Sequence, residues 1–161
     1  MSKFFVEKKG FTLIEMIVTL TILAILSAAI LPLAKTAVKR EREIELRRNL
    51  RLIRDAIDAY KKLADEKKIE YEEEAEGYPP DLETLVKGVE VKVEGEGKDS
   101  KTKILKFLRR IPKDPMTNSS EWGLRSYQDD YDSDVWGGEN VYDVYTISRA
   151  IALDGTQYNE W

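Results

Sequence analysis

The sequence contains no cysteine and no histidine. Disulfides, thiolate nucleophiles and the usual zinc ligands are therefore excluded. A domain outside the cytoplasm would have to be held together by its core, by a metal ion or by neighbouring subunits. A catalytic centre could use only carboxylate, serine, lysine or tyrosine side chains, and no such constellation stands out. We therefore expect a protein that is not an enzyme.

A strongly basic surface is also missing. The formal net charge is −4, the C-terminal half is rich in aspartate, and the arginines of the central region alternate with glutamate and aspartate. These arginines are Arg40, Arg42, Arg47, Arg48, Arg51 and Arg54. Interleaved charges of this kind are typical of a salt-bridged helix surface, so we expect no nucleic-acid partner.

Apolar residues are concentrated near the N-terminus. The segment Phe11–Val38 exceeds the roughly 20 apolar residues that cross a ~30 Å hydrocarbon layer. Lys3, Lys8 and Lys9 precede it, and basic residues favour the cytoplasmic side of a membrane. The sequence thus predicts one membrane-spanning helix, a cytoplasmic N-terminus, and the rest of the chain outside. An ordinary secretory signal would instead have a shorter apolar core, with its small residues after that core.

Glu15 interrupts the apolar run and requires an explanation. A carboxylate deep in a bilayer costs about 2.5–3.5 kcal/mol on insertion scales. Either the side chain lies near the helix end and reaches the headgroups, or a cation lies beside it. Cleavage after Gly10 would supply a cation, because Phe11 would then carry a free α-amino group that is largely protonated at neutral pH. In a helix bundle that amine would attract the Glu15 carboxylate of a neighbouring subunit and set the register between them.

The residues around Gly10 resemble the prepilin cleavage motif of type IV pilins and of type II secretion pseudopilins. The matching run is Lys8-Lys9-Gly10-Phe11-Thr12-Leu13-Ile14-Glu15. The resemblance implies that a membrane peptidase cuts after Gly10 and methylates Phe11, and that Glu15 is needed for assembly. Pro32 matches a position where helices of this family bend or locally melt. Because proline removes an amide donor and crowds the preceding turn, we expect a kink or an unwound stretch there.

The same resemblance implies partners and a location. The partners are prepilin peptidase, further copies of the chain in a helical filament, other pilins or pseudopilins, and an inner-membrane assembly platform. The protein would start as a single-pass inner-membrane subunit and end in a periplasmic or extracellular filament. We expect a leader at residues 1–10, a membrane or filament-core helix at 11–38, an amphipathic helix at 39–64, and an α/β head domain at 65–161.

An apolar stripe with alternating spacings of four and three follows the membrane segment. Its members are Leu46, Leu50, Ile53, Ile57, Tyr60 and Ala64. This pattern is typical of an amphipathic helix, and it predicts a continuous helix from about Phe11 to about Leu63. We expect the stripe to pack in the core of the head; an intermolecular coiled coil is the alternative. The predicted fold is α+β and pilin-like, with a long N-terminal helix on a small antiparallel β-sheet, short helices and loops.

Local signals divide the rest of the head. Asp65–Gly77 is rich in glutamate and lysine, which indicates a frayed helix end or a solvated loop. Asp81 is placed to cap a short helix that Gly88 ends. The remaining predictions, in chain order, are a strand at Val89–Val93, a turn at Glu94–Ser100, a short helix from Lys101 to about Leu108, and strands near Leu124–Gln128 and Val141–Ser148.

Four head segments look like parts of the major pseudopilins of type II secretion. They are residues 78–86, 110–115, 142–148 and 152–155. We therefore expect a structural subunit of a secretion pseudopilus. The alternative is a type IV pilin of a surface pilus that serves adhesion, motility or DNA uptake. Many such pilins clamp their C-terminal region with a disulfide, which this sequence cannot form. A membrane-tethered enzyme or ligand-binding domain is a third class, without a catalytic constellation to support it.

Calcium is the one metal that the sequence leaves open. Aspartates cluster before Gly137-Gly138, and Asp154 follows later; the cluster is Asp129, Asp130, Asp132 and Asp134. Carboxylate oxygens suit calcium, and many major pseudopilins hold calcium in this region. The spacing is not that of an EF-hand, however, and the second aspartate stretch of those proteins is missing after Asp154-Gly155. We expect a solvated acidic loop and no cofactor. Trp122, Trp136 and Trp161 are expected to pack the sheet.

Overall fold

The computed structural model describes residues 10–93 and 101–161. The elements are a long helix α1 (Leu13–Asp65), a 3-10 helix (Glu73–Ala75), α2 (Leu82–Lys87), β1 (Val89–Val93), β2 (Lys101–Leu105), β3 (Gly123–Arg125), β4 (Asp143–Tyr145) and a second 3-10 helix (Tyr158–Glu160). The chain divides after Lys39 into two compact units. We call the second of these, Arg40–Trp161, the head unit.

Helix α1 confirms the predicted long N-terminal helix. It runs from Leu13 to Asp65 and continues through Pro32. The helix is therefore not unwound at that proline, and the alternative of a kink there stays a prediction. Proline deletes a single amide donor, whereas the residues on both sides keep theirs. The Thr36 hydroxyl donates to the Pro32 carbonyl at 3.1 Å and adds a bond just after the proline.

The predicted apolar stripe forms the centre of the head unit. All six of its side chains, from Leu46 to Ala64, are at most 3% exposed. They share one hydrophobic core with Leu85 of α2, Val144 of β4 and Tyr158 of the second 3-10 helix. The stripe is therefore a core face, and the alternative of an intermolecular coiled coil is wrong.

The strands form two separate antiparallel pairs rather than one sheet. β1 pairs with β2, with Val89 opposite Leu105 and Val93 opposite Lys101. The helix predicted from Lys101 is therefore wrong: its first five residues pair along their length with β1, and tertiary pairing overrides a weak helical pattern. The predicted turn at Glu94–Ser100 lies outside the described residues.

β3 pairs with β4 in a register that puts Gly123 opposite Tyr145. A side chain at Gly123 would clash with the Tyr145 ring, so glycine is required there. Both strands are shorter than predicted, and β3 starts one residue earlier. Asp129 explains the early end of β3, because its carboxylate accepts from the Ser126 amide at 2.7 Å and turns the chain away from the ladder.

The cap and stop predicted for α2 are confirmed. Asp81 accepts from the Thr84 amide at 2.6 Å, and Gly88 ends the helix with φ of +88°. The prediction for Asp65–Gly77 is partly wrong, since Ile69 is buried and Ala75 is buried as well. Ile69 belongs to the hydrophobic core, and the Lys92 amide of β1 donates to the Lys68 carbonyl at 2.9 Å, so this segment is held against the head.

Candidate processing and assembly site

The predicted cleavage point lies at an open end of the described chain. A side chain built at Gly10 would meet nothing within 4 Å, and Phe11 is 77% exposed. Packing among the described residues therefore does not require glycine at position 10, and these residues leave the peptide bond between Gly10 and Phe11 accessible. Lys8 and Lys9, which complete the predicted motif, lie outside the described residues.

Thr12 caps the start of α1, and the sequence analysis missed this role. Its hydroxyl accepts from the Glu15 amide at 3.2 Å, while its carbonyl accepts from the Met16 amide at 3.1 Å. Thr12 and Glu15 have the spacing of a capping box, which is the signal that could have found the cap. Glu15 also lies in the first helical turn, where the partial positive charge of the helix N-terminus favours a carboxylate.

The structure brings three of the four predicted site residues together. Gly10, Phe11 and Glu15 lie at the start of α1, within about one turn of Thr12. Pro32 is 32 − 15 = 17 residues beyond Glu15, about 25 Å along the axis at 1.5 Å per residue. Pro32 therefore belongs to the path of the helix and not to the cluster at its N-terminus.

The apolar segment Phe11–Val38 carries a continuous uncovered surface. Its exposed large side chains range from 49% for Val18 to 78% for Leu13. By length and composition, α1 contains a stretch apolar enough to cross a membrane. The Thr19 and Thr21 hydroxyls donate to helix carbonyls at 2.9 Å and 2.7 Å, so neither would be left unsatisfied in hydrocarbon. The segment suits lipid or a bundle of helices.

Arg54 is the centre of a polar clasp that the sequence analysis did not identify. Its guanidinium donates to Asp143 of β4 at 2.6 Å and 3.2 Å. It also donates to the carbonyls of Val144 at 3.1 Å and Trp161 at 2.8 Å. A forked donor of this kind matches a carboxylate in two places at once. The clasp fastens the head part of α1 to β4 and to the last described residue.

Glu43 forms a second clasp nearer the start of the head unit. Its carboxylate accepts from the Leu153 amide and from the Tyr158 hydroxyl, both at 2.8 Å. Burial raises the pKa of Tyr158 to about 12, and the hydrogen bond to Glu43 adds to the shift. Only the spacing of more than 100 residues between these partners hid the contact from sequence reasoning.

The acidic residues proposed for calcium are mostly engaged within the chain. Asp129 accepts from the Ser126 and Gly137 amides, and Asp134 pairs with Arg149 at 2.6 Å. Asp154 accepts from Thr156, which lowers the pKa of the Asp154 carboxyl. Across residues 10–93 and 101–161, no three acidic side chains are grouped to hold a metal ion. The expectation of a solvated loop without a cofactor, with calcium left open, stays a prediction.

The three tryptophans occupy different environments. Trp122 is in the core and donates to the Pro112 carbonyl at 3.0 Å. Trp136 lies at the surface and donates to the Asn140 carbonyl at 2.7 Å. The Arg47 guanidinium lies 3.7 Å from the centre of the Trp161 ring. Trp122 therefore belongs to the packed interior, Trp161 packs against the core from outside, and Trp136 lies at the surface.

These features define a pilin-like α+β fold, with an exposed apolar start to its long helix and a small head with antiparallel strand pairs. Residues 7–31 match the family model described as the prokaryotic N-terminal methylation motif. This motif is the signal of type IV pilins and pseudopilins, and it implies processing by prepilin peptidase and pilin assembly. Comparison with curated proteins gives no match, and neither does comparison with solved structures.

Proposed function

We propose that this chain is a structural subunit of a type II secretion pseudopilus, a filament that helps to export proteins. One observation carries the proposal: the methylation motif at residues 7–31 overlaps a helix segment whose large apolar side chains, where the structure describes them, are about half exposed or more. A subunit that passes from the membrane to a filament core needs such a segment in both places.

Cleavage after Gly10 would change the charge at the start of α1. The new α-amino group of Phe11 would lie next to the Thr12 cap and one turn from Glu15. In the described part of the chain the Glu15 carboxylate has no hydrogen-bond partner, because its capping contact uses its amide. The carboxylate is therefore available to a protonated Phe11 amine of a neighbouring copy. In a dry bundle that attraction is much stronger than in water.

The apolar surface alone does not explain assembly. Lipid tails are as apolar as leucine, so moving a helix from bilayer to bundle gives no further hydrophobic gain. Close packing and the pairing of Glu15 with an amine would instead decide which helices associate, and in which register. The subunit would insert with a cytoplasmic N-terminus in the inner membrane and be lifted by an assembly platform. The lifting energy would come from a separate ATPase.

Two features of the head unit favour a pseudopilin over a surface pilin. The chain has no cysteine for a C-terminal disulfide clamp. The segment from Arg110 to Pro115, which resembles one in major pseudopilins, has a structural reason for its aspartate. Asp114 is completely buried, and it accepts hydrogen bonds from the Met116 amide and from the Thr117 and Thr146 hydroxyls.

The first test is the intact mass and N-terminal sequence of the protein recovered from sheared filaments. We expect a chain that starts at a methylated Phe11. A Gly10→Val variant is a suitable control, because the open space at Gly10 lets the substitution act on cleavage without disturbing packing. Assembled chains that still begin at Met1 would overturn the proposal.

A gene deletion then separates secretion from surface display. We expect export of secreted proteins to stop, while surface pili, motility and DNA uptake continue. The opposite pattern would replace the secretion pseudopilus with a type IV pilus.

A further inference from the structure

We propose that the head units of neighbouring copies join through a basic groove on one copy and an acidic loop on the next. The basic groove is lined by Glu45, Arg48, Asn49, Leu52 and residues 107–113. The acidic loop is the segment from Asp130 to Val135. This inference rests on the proposed function as a filament subunit, and it names the surfaces by which the heads meet.

The basic groove concentrates positive charge in an acidic protein. Its volume is about 1030 Å³, and its charged side chains are Arg48, Arg109, Arg110 and Lys113 against the single acid Glu45. The local balance is 4 − 1 = +3, whereas the chain as a whole carries −4. All four cations are exposed, and within the described residues none forms an ion pair. Four cations without ion pairs in one groove favour an acidic binding partner.

The floor of the groove is apolar and its wall is fixed. Leu52, which is 47% exposed at the surface of α1, and the half-buried Phe107 both line the groove. The Asn49 side chain donates to the Lys113 carbonyl at 2.9 Å and holds the wall against α1. An exposed apolar centre rimmed by polar groups is the usual composition of a protein contact.

The acidic loop has the complementary composition. Tyr131 is 90% exposed and Val135 78% exposed. Asp130 and Asp132 flank the tyrosine, both exposed, and neither has an ion-pair partner in the described part of the chain. The loop is nevertheless anchored, because the Arg125 side chain donates to the Ser133 carbonyl at 2.9 Å. An aromatic tip between two carboxylates fits an apolar floor between cations.

The two surfaces lie on different flanks of α1. Leu52 faces the groove, whereas Arg54 binds Asp143 of β4, and β4 pairs with β3, which leads into the acidic loop. Positions 52 and 54 are two residues apart, which places them about 200° apart around the helix axis. A contact between two different patches is heterologous, and it can repeat from copy to copy without closing into a dimer. That geometry suits a filament.

Cysteine cross-linking can test the contact directly, because the natural chain has no cysteine. The full chain carrying both Arg110→Cys and Asp132→Cys is assembled in membranes and treated with a short bismaleimide. We expect a ladder of dimers, trimers and higher species. Each single variant should stay largely monomeric, and a mixture of the two should stop at the dimer. The pair Lys103→Cys with Asp132→Cys is the control, because Lys103 is an exposed cation of β2 outside the groove.

A charge exchange guards against variants that merely misfold. For this test the cysteines are placed at positions next to the exchanged charges. The double variant Arg109→Glu, Arg110→Glu should abolish the cross-linking between these cysteines, and the double variant Asp130→Lys, Asp132→Lys should do the same. Combining all four should restore the ladder. High salt should weaken the cross-linked ladder, since the Debye screening length falls to about 3 Å at 1 M ionic strength.

Three results would overturn the inference. One is a missing ladder in filaments whose subunits begin at Phe11, which leaves the proposed function intact. Another is failure of the fourfold exchange to restore contact. The last is a groove that binds phosphatidylglycerol vesicles and leaves the ladder unchanged when its charges are reversed, which would make it a lipid surface. Chains that are never cleaved would instead count against the proposed function.

Discussion

The two parts of α1 differ in what surrounds them, although they belong to one helix. In the apolar segment the large apolar side chains that the structure describes are about half exposed or more, whereas the stripe of the head unit is at most 3% exposed. The apolar segment is apolar on all sides, and the head part has one apolar stripe with charges elsewhere. An all-round apolar surface suits lipid or a helix bundle, while a stripe suits a core that meets water on the far side.

Polar groups follow the same division. In the apolar segment the Thr19 and Thr21 hydroxyls bond to their own helix, whereas the Glu15 carboxylate at its start and Lys35 near its end have no hydrogen-bond or ion-pair partner among the described residues. In the head part, Glu43 and Arg54 reach distant segments and fasten the helix to them. The side chains of the apolar segment are therefore available for contacts with other molecules, whereas Glu43 and Arg54 make their contacts within the chain.

The largest effect is expected from Glu15→Ala. This variant should insert and lose its leader normally but should fail to enter filaments, because the Phe11 amine of the neighbour would have no carboxylate to pair with. The measurement is the amount of subunit in the sheared filament fraction relative to the membrane fraction. Thr19→Ala is a matched control, since it removes a polar group of the same segment that bonds only to its own helix. Normal filaments from Glu15→Ala would contradict the pairing.

The same substitution in both parts of α1 tests the comparison most directly. Ile53→Ala removes a completely buried side chain and should lower the free energy of unfolding of the head by about 2–5 kcal/mol. Ile22→Ala removes an exposed one and should change that free energy by no more than about 0.5 kcal/mol. Urea unfolding in detergent can be followed by tryptophan fluorescence, because all three tryptophans lie in the head unit. Equal losses of the free energy of unfolding in Ile53→Ala and Ile22→Ala would contradict the difference between the two parts of α1.

Sequence reasoning succeeded where one local pattern decides the structure. The stripe from Leu46 to Ala64 repeats with the helical period, and its burial was predicted residue by residue. The Asp81 cap and the Gly88 stop depend on neighbours within a few positions, and they were predicted as well. The methylation motif at residues 7–31 is equally local. Such signals need no knowledge of the rest of the fold.

Sequence reasoning failed where residues far apart in the sequence decide the local structure. The segment from Lys101 has no strong preference of its own, and it is a strand because β1 pairs with it. The partners of Arg54 and Glu43 lie some 90 to 115 residues away, so nothing nearby in the sequence marks them. The basic groove was missed for the same reason: Arg48 alternates with acids along the chain, and only folding places it beside Arg109 and Arg110.

Arg54→Ala asks whether the head part of α1 is held by its polar clasp as well as by its stripe. The side chain makes four hydrogen bonds, but it is partly exposed, so we expect a loss of about 1–3 kcal/mol in the free energy of unfolding. Arg51→Ala is the control, because Arg51 is an exposed residue about one helical turn before Arg54 and has no ion pair within the described residues. A loss equal to that of Arg51→Ala would show that the stripe alone holds the helix.

The smallest effect concerns the pH dependence of the Glu43 clasp. Because folding raises the pKa of Tyr158 from 10.0 to about 12, the unfolded chain releases this proton first, and stability falls as pH rises from about 10 to about 12. Tyr158→Phe should cost about 1 kcal/mol at neutral pH through the lost hydrogen bond, and it should reduce the alkaline fall. Some fall should remain, since burial also raises the pKa of Tyr60.

The alkaline test uses urea unfolding of the full chain in detergent between pH 8 and pH 11.5. Tyr131→Phe is the matched control, because Tyr131 is almost completely exposed and should leave both the neutral stability and its pH dependence unchanged. If Tyr158→Phe lost stability with rising pH as steeply as the natural chain, the raised pKa of Tyr158 would not be the cause of the alkaline fall. The bond between Tyr158 and Glu43 would then be measured only by the cost of the substitution at neutral pH, and the alkaline fall would have to come from other buried groups such as Tyr60.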